Sequence, residues 1–130
     1  MTRATPRPNK ARLRRAIKFL EELELPEGAE FDMGTFGRHF GGHRPSARNH
    51  CGTVACALGW LSLDPWFRDR GLKGTWRKAD GGHYLRIKHG KDDFTGAAES
   101  FFGLTWRQAN EAFFASTKAR CIAVLKRAAS

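Results

Sequence analysis

The chain has 130 residues, 41% of them hydrophobic, and its 23 Lys and Arg against 13 Asp and Glu give a net charge of +10. This length favours a single domain, and the lack of an apolar run of about 18 residues argues against a membrane span. Three cysteines, behind a basic N-terminus without a secretory apolar stretch, indicate reduced thiols in a cytoplasmic protein.

The positive charge is concentrated in stretches of the chain. Residues 1–20 carry seven cations and no acid, whereas residues 33–60 carry Arg38, Arg44 and Arg48 and again no acid. Such an excess favours a polyanionic partner, either nucleic acid, a ribonucleoprotein or an acidic protein surface. The alternative is a solvated surface that serves solubility alone.

The first part of the chain predicts an arm and then a helix. Residues 1–8 are expected to form a flexible basic arm, with residues 9–130 as one globular domain. A helix is predicted from Asn9, its N-cap, to about Leu23. Its apolar side would contain Leu13, Ala16, Ile17 and Leu20, and its other side Arg12, Arg14, Arg15 and Lys18.

Residues 31–71 predict a loop followed by two helices. Phe31, Met33 and Phe36 are expected in the core, and residues 37–50, rich in Gly, Arg and His, are expected to form a long loop suited to anion contact. The apolar run from Thr53 to Leu63 predicts a buried helix with Thr53 as its N-cap. A short helix should follow at Asp64-Pro65.

The remaining sequence predicts a hairpin and three helices. Residues 75–87 are expected to form a β-hairpin around Asp80-Gly81-Gly82, with Tyr84, Arg86 and Lys88 on one face. Three helices should follow; the first ends at Gly103, and the second begins with a Thr105–Gln108 capping box. The fold class predicted is α+β: a mostly helical single domain around a buried central helix, with a small two-stranded β-hairpin.

The stretch "NHCGTVACALGWLSL", residues 49–63, has three interpretations. Cys51 near a helix N-terminus could be a nucleophile with His83 as base. A zinc site could use His39, His43, His50, Cys51 and Cys56, although their spacing fits no closed finger. In the third interpretation, which we favour, Cys51-Gly52-Thr53 is the packed entry of a core helix and Cys56 and Cys121 are buried, inert thiols.

Two resemblances accompany these patterns. "CGTVAC" loosely resembles the active-site start of papain-like cysteine peptidases, which implies Cys51 as nucleophile and a later His on a strand, here His83. The ordered set "FDM", "CGTVACALGW", "PWF…GL", "GGHYL" and "AAESFFGLTWRQANEAFF", over residues 31–114, is similar to a group of small uncharacterised bacterial and phage proteins. That resemblance implies a compact accessory domain of bacteria or their phages, located in the bacterial cytoplasm or, if phage-encoded, in that of the host, and it implies no particular reaction.

The leading hypothesis is a non-enzymatic module that binds a polyanion without a metal or cofactor. Its cations would neutralise phosphates, and Tyr84 or Trp76 would be available for stacking. The residues predicted to bind are Arg12, Arg14, Arg15, Lys18, Arg38, Arg44, Arg48, Arg77, Lys78, Tyr84, Arg86 and Lys88. The alternative is a cysteine-dependent hydrolase or transferase with Cys51 and His83.

Overall fold

The computed structural model describes residues 7–25, 28–39, 53–79, 82–114 and 117–130. Within these ranges the helices are α1 Lys10–Glu21, α2 Ala57–Leu63, α3 Pro65–Asp69, α4 Phe94–Phe102, α5 Trp106–Phe113 and α6 Lys118–Ala129. The strands are β1 Glu30–Phe31, β2 Arg38–His39, β3 Thr53–Ala55, β4 Leu72–Ala79, β5 Gly82–His89 and β6 Asp92–Asp93. Residues 1–6 of the predicted arm, residues 40–50 of the predicted long loop, Cys51-Gly52 and Asp80-Gly81 lie outside the described ranges.

The strands form one sheet in the order β1-β3-β2-β5-β4, and β6 pairs with β5. β1 and β3 are parallel, and the other pairs are antiparallel. The prediction of a two-stranded sheet was therefore wrong, although α+β holds as the broad class. The hairpin of β4 and β5 exists, but β2 adds to its open edge through Arg38 and His39, which were predicted to be loop residues.

The helix predicted from Thr53 begins four residues later. Thr53 to Ala55 form β3, and α2 begins at Ala57 with Cys56 as its N-cap. A short apolar run has no periodicity that distinguishes a buried strand from a buried helix, so β3 and α2 were predicted as a single helix. The Asn9 cap, the Asp64 cap and the Thr105–Gln108 capping box are confirmed by their hydrogen bonds.

The core lies between the helices and the inner face of the sheet. Leu72, Leu85 and Ile87 on the strands are fully buried, as are Leu58 and Leu61 on α2. α2 and α3 pack on β4, and α4 packs on β5. The opposite face of the two long strands therefore carries their polar side chains. In the described residues no helix has the length and apolar character that crossing a membrane requires.

Candidate polyanion-binding face

Strand alternation places cations on the outer face of the sheet. Side chains of successive strand residues point to opposite faces, so burying Leu85 and Ile87 sends Tyr84, Arg86 and Lys88 outward, as predicted. On β4 the same rule sends Lys73, Thr75 and Arg77 outward, and all three are exposed. We call the set Arg38, Lys73, Arg77, Tyr84, Arg86 and Lys88 the basic face.

The pairing register sets Tyr84 between two arginines. Tyr84 is directly opposite Arg38 on β2 and Arg77 on β4, and directly opposite side chains on neighbouring strands lie about 5 Å apart at Cβ. The Tyr84 side chain is 43% exposed. A flat aromatic group with a guanidinium on each side therefore faces solvent at the middle of the sheet.

Two carboxylates border the basic face. Asp93 on β6 pairs with Arg86, with 3.4 Å between Arg86 Nη2 and Asp93 Oδ2, and both side chains are about 40% exposed. An ion pair between two exposed side chains is weak, so Asp93 binds Arg86 only weakly. Glu30, on β1, lies on the same side of β5, because β2 and β6 both pair with the edge of β5 that β4 leaves open and β1 follows β2 through β3. Both carboxylates thus lie on the β2 side of β5, and the cations of β4 lie on its other side.

A groove of about 520 Å³ opens beside Tyr84 on the side of Glu30. Tyr84, Arg38 and Val54 line it together with Asp32 and the rings of Phe36 and Phe94, whose centroids are 4.9 Å apart. Phe94 has φ +49°, a region that bulky residues rarely adopt. Such backbone strain is often found beside ligand sites. The groove combines aromatic walls with carboxylate acceptors.

The predicted cations of α1 are not part of this face. Arg12 donates from Nη1 to the Phe101 carbonyl at 3.0 Å and lies 4.3 Å from the Phe101 ring centroid, so it anchors α1 to α4. Arg15 lies over Trp66 at 5.2 Å. Arg14 and Lys18 are exposed, but α1 packs chiefly on α6, α4 and α2.

The remaining predicted cations have different positions. Lys78 is the strand partner of His83 and so belongs to the inner-face register, although it is exposed at the end of β4. Arg44 and Arg48 lie outside the described residues. The structure therefore brings together Arg38, Arg77, Tyr84, Arg86 and Lys88 from the predicted set.

The predicted catalytic base, His83, lies in a row of polar groups on the inner face. Its ring centroid is 6.2 Å from that of His39, whose Nδ1 is 3.0 Å from Thr53 Oγ1. His83 Nδ1 is buried without a hydrogen-bond partner among the described residues. Cys51 lies outside those residues, so the Cys51–His83 pair stays a prediction. Its premise of an adjacent helix N-terminus was wrong, because β3 intervenes before α2.

The other two thiols are buried. Burial raises the pKa of Cys56 to about 11 and that of Cys121 to about 12, which suits the inert, packed role predicted for them. Within the part of the chain that the structure describes, no three His, Cys, Asp or Glu side chains converge as metal ligands. His43 and His50, two of the candidate zinc ligands, lie outside that part, as Cys51 does.

Comparison of the chain with protein-family models, with curated proteins and with solved structures gave no match. The two resemblances drawn from the sequence therefore stay predictions.

Sequence reasoning missed Lys73, Glu30, Asp32 and the groove. Lys73 could have been found, because the alternation Lys73, Thr75, Arg77 continues the β4 pattern by one step beyond the predicted hairpin. The groove could not have been found in this way, because it forms where β1, β3 and β2 meet β5, and two- or three-residue strands carry no periodic signal of their own.

Proposed function

We propose that this protein is a non-enzymatic binding module that engages a polyanionic partner through the basic face. The observation that carries the proposal is the cross-strand row Arg38, Tyr84, Arg77 on an exposed sheet surface. Clustered Lys and Arg attract phosphates and release their counterions, which favours binding of any polyanion. Nucleic acid, a ribonucleoprotein and an acidic protein surface are the partner classes.

Unpaired cations support this proposal. Arg38, Lys73, Arg77 and Lys88 are exposed, and the ion pairs between described residues are Arg86–Asp93 and Lys126–Glu21. Arg38 and Arg77 flank Tyr84 in one row, and Lys73 and Lys88 are directly opposite each other four residues further along the strands. Like charges directly opposite destabilise a sheet, and Asp93, opposite Lys88 on its other side, offsets that repulsion only in part. A polyanion that neutralises them would remove this cost.

The biological setting is a further part of the proposal. The small size, the strong positive charge and the sequence resemblance to bacterial and phage proteins fit a phage-encoded accessory or inhibitor protein that acts on a host nucleic acid or ribonucleoprotein.

The test is binding to a labelled oligonucleotide and to polyglutamate, followed by fluorescence anisotropy at fixed salt. The double variant R38A/R77A should weaken binding by at least 10-fold, because two charges next to Tyr84 are lost. The matched control R107A/R120A removes two exposed arginines from α5 and α6 and should weaken binding much less. No binding of either probe, or equal losses in both variants, would contradict the proposal.

A further inference from the structure

We infer that the ligand of the basic face is single-stranded nucleic acid, with one base stacked on Tyr84 at the mouth of the adjoining groove. This inference rests on the proposed function and deepens it by naming the partner. Its observations are the exposure of Tyr84, the width of the sheet and the sign of the charges in the groove.

The exposed ring indicates a partner with accessible base faces. Tyr84 is 43% exposed between Arg38 and Arg77. In a duplex the bases are stacked on one another, so a protein reaches only their edges and the phosphates. In a single strand the faces are open, and stacking on an aromatic side chain with a neighbouring guanidinium is the usual mode of binding.

The shape of the sheet argues against a duplex groove. Five strands, β1-β3-β2-β5-β4, lie side by side, and at about 4.8 Å per gap they span about 19 Å. The major groove of B-DNA is only about 12 Å wide. The whole sheet is therefore too wide to enter that groove face-on, so the basic face can lie only on the outside of a duplex, whereas a flexible single strand can follow the sheet.

The carboxylates in the groove favour a base as its occupant over a phosphate or an acidic peptide. Glu30 and Asp32 line the groove on the far side of Tyr84 from Arg77. They repel phosphate, so the backbone of a bound strand stays out of the groove and passes over the cations of the basic face, Arg38 included. Carboxylates accept hydrogen bonds from the amino groups of bases, so the groove suits a base edge. An acidic peptide offers side-chain carboxylates that Glu30 and Asp32 would repel.

The first experiment measures the affinity of the full chain for a labelled 12-nucleotide single strand, for the duplex of the same sequence and for polyglutamate. The same affinities are measured for variants that each replace a single aromatic residue. Y84A should weaken single-strand binding by about 5- to 150-fold, and Y84F should change it less than about 2-fold. W106A is the matched control, because Trp106 is 64% exposed on α5, and it should have no effect. Duplex binding should be weaker and indifferent to Y84A.

A second measurement uses the unmutated chain, so it does not depend on whether a variant folds. Tyr84 is the sole tyrosine of the chain, so fluorotyrosine labelling gives one ¹⁹F resonance. The single strand should shift this resonance at saturation, and the duplex should leave it in place.

The outcomes separate the inference from the proposed function. Equal affinity for single strand and duplex together with a stationary ¹⁹F resonance would overturn the inference, while the loss in R38A/R77A would still support the proposed function. Tighter binding of polyglutamate than of the single strand would overturn the inference in favour of an acidic protein partner. No binding of any probe would overturn both.

Discussion

At the scale of single residues, burial decides the chemistry of Cys56 and Cys121. Desolvation is the largest cause of the raised pKa of each thiol, about 11 for Cys56 and about 12 for Cys121. Only the thiolate is a nucleophile, so both should be almost fully protonated at neutral pH. Neither sulfur is placed to attack a substrate or a labelling reagent.

We therefore predict that iodoacetamide at pH 7.5 labels neither Cys56 nor Cys121 in the folded protein. Both should be labelled after unfolding in guanidinium chloride, as peptide mass spectrometry would measure. Modification of either thiol in the folded state at the rate of a free thiol would contradict the described burial. Because these two thiols should be silent, any native labelling reports on Cys51. A rapid reaction there, absent in C51A, would support the predicted nucleophile.

A second prediction concerns His89, whose pKa is lowered from its ordinary 6.5 by desolvation first and by the charge of Arg12 second. His89 Nδ1 lies 2.7 Å from Ser100 Oγ, and Asp92 opposes the shift. The neutral imidazole is favoured in the folded state. As pH falls through 6.5 the unfolded chain takes up this proton first, so the contribution of His89 to stability decreases in acid.

R12Q should raise the pKa of His89 towards 6.5, because it removes a nearby positive charge. The pKa can be measured by NMR titration of the imidazole signals. R14Q is the control, since Arg14 is an exposed arginine of the same helix and is not among the causes of the His89 shift, and it should leave the pKa unchanged. An unchanged or lower pKa in R12Q would contradict the assigned cause.

At the scale of elements, α2 packs so closely on the segment before β2 that replacing a helical Gly by Ala should destabilise the protein here. Gly59 lies in the middle of α2, where replacing Gly by Ala usually stabilises a helix by about 1 kcal/mol. Here a Cβ at Gly59 would overlap the carbonyl oxygen of Phe36 and would approach Ala55 Cβ to 2.9 Å. Either the helix or the segment that carries Phe36 would have to move.

G59A should therefore lower the free energy of unfolding by about 1–3 kcal/mol, the usual cost of overpacking. G96A in α4 is the matched control, because its Cβ would meet nothing closer than Asp92 Cβ at 3.7 Å. That variant should be neutral or stabilising by up to about 1 kcal/mol. Urea unfolding followed by circular dichroism measures both. A G59A variant as stable as the wild type would contradict the packing of α2.

The elements also explain which parts of the fold could be predicted from the sequence. Caps are local, so Asn9, Asp64 and Thr105 mark their helices correctly. The faces of β5 followed from alternation. Strand partners are not local: Arg38 reaches Tyr84 only because β2 pairs with β5, and no pattern within residues 37–50 encodes that register. The sequence therefore indicated most residues of the basic face but not their assembly.

At the scale of the whole molecule, the distribution of charge matters more than the net charge of +10. Arginines of α1 are used to hold helices together, as the contact of Arg12 with Phe101 illustrates. The cations of the basic face have no such contacts except Arg86 with Asp93, so far as the described residues extend. Binding by this face should consequently be electrostatic and strongly salt-dependent, whereas mutation of cations elsewhere should have small effects.

The most direct test is the salt dependence of oligonucleotide binding between about 50 and 200 mM salt. Each phosphate neutralised on a single strand contributes about −0.7 to the slope of log K against log salt concentration, so contacts from all five cations of the basic face give at most about −3.5. We predict that R38A/R77A makes the slope less negative by about 1.4 and that R107A/R120A leaves it unchanged. A wild-type slope near zero, or the same change in both double variants, would contradict the account.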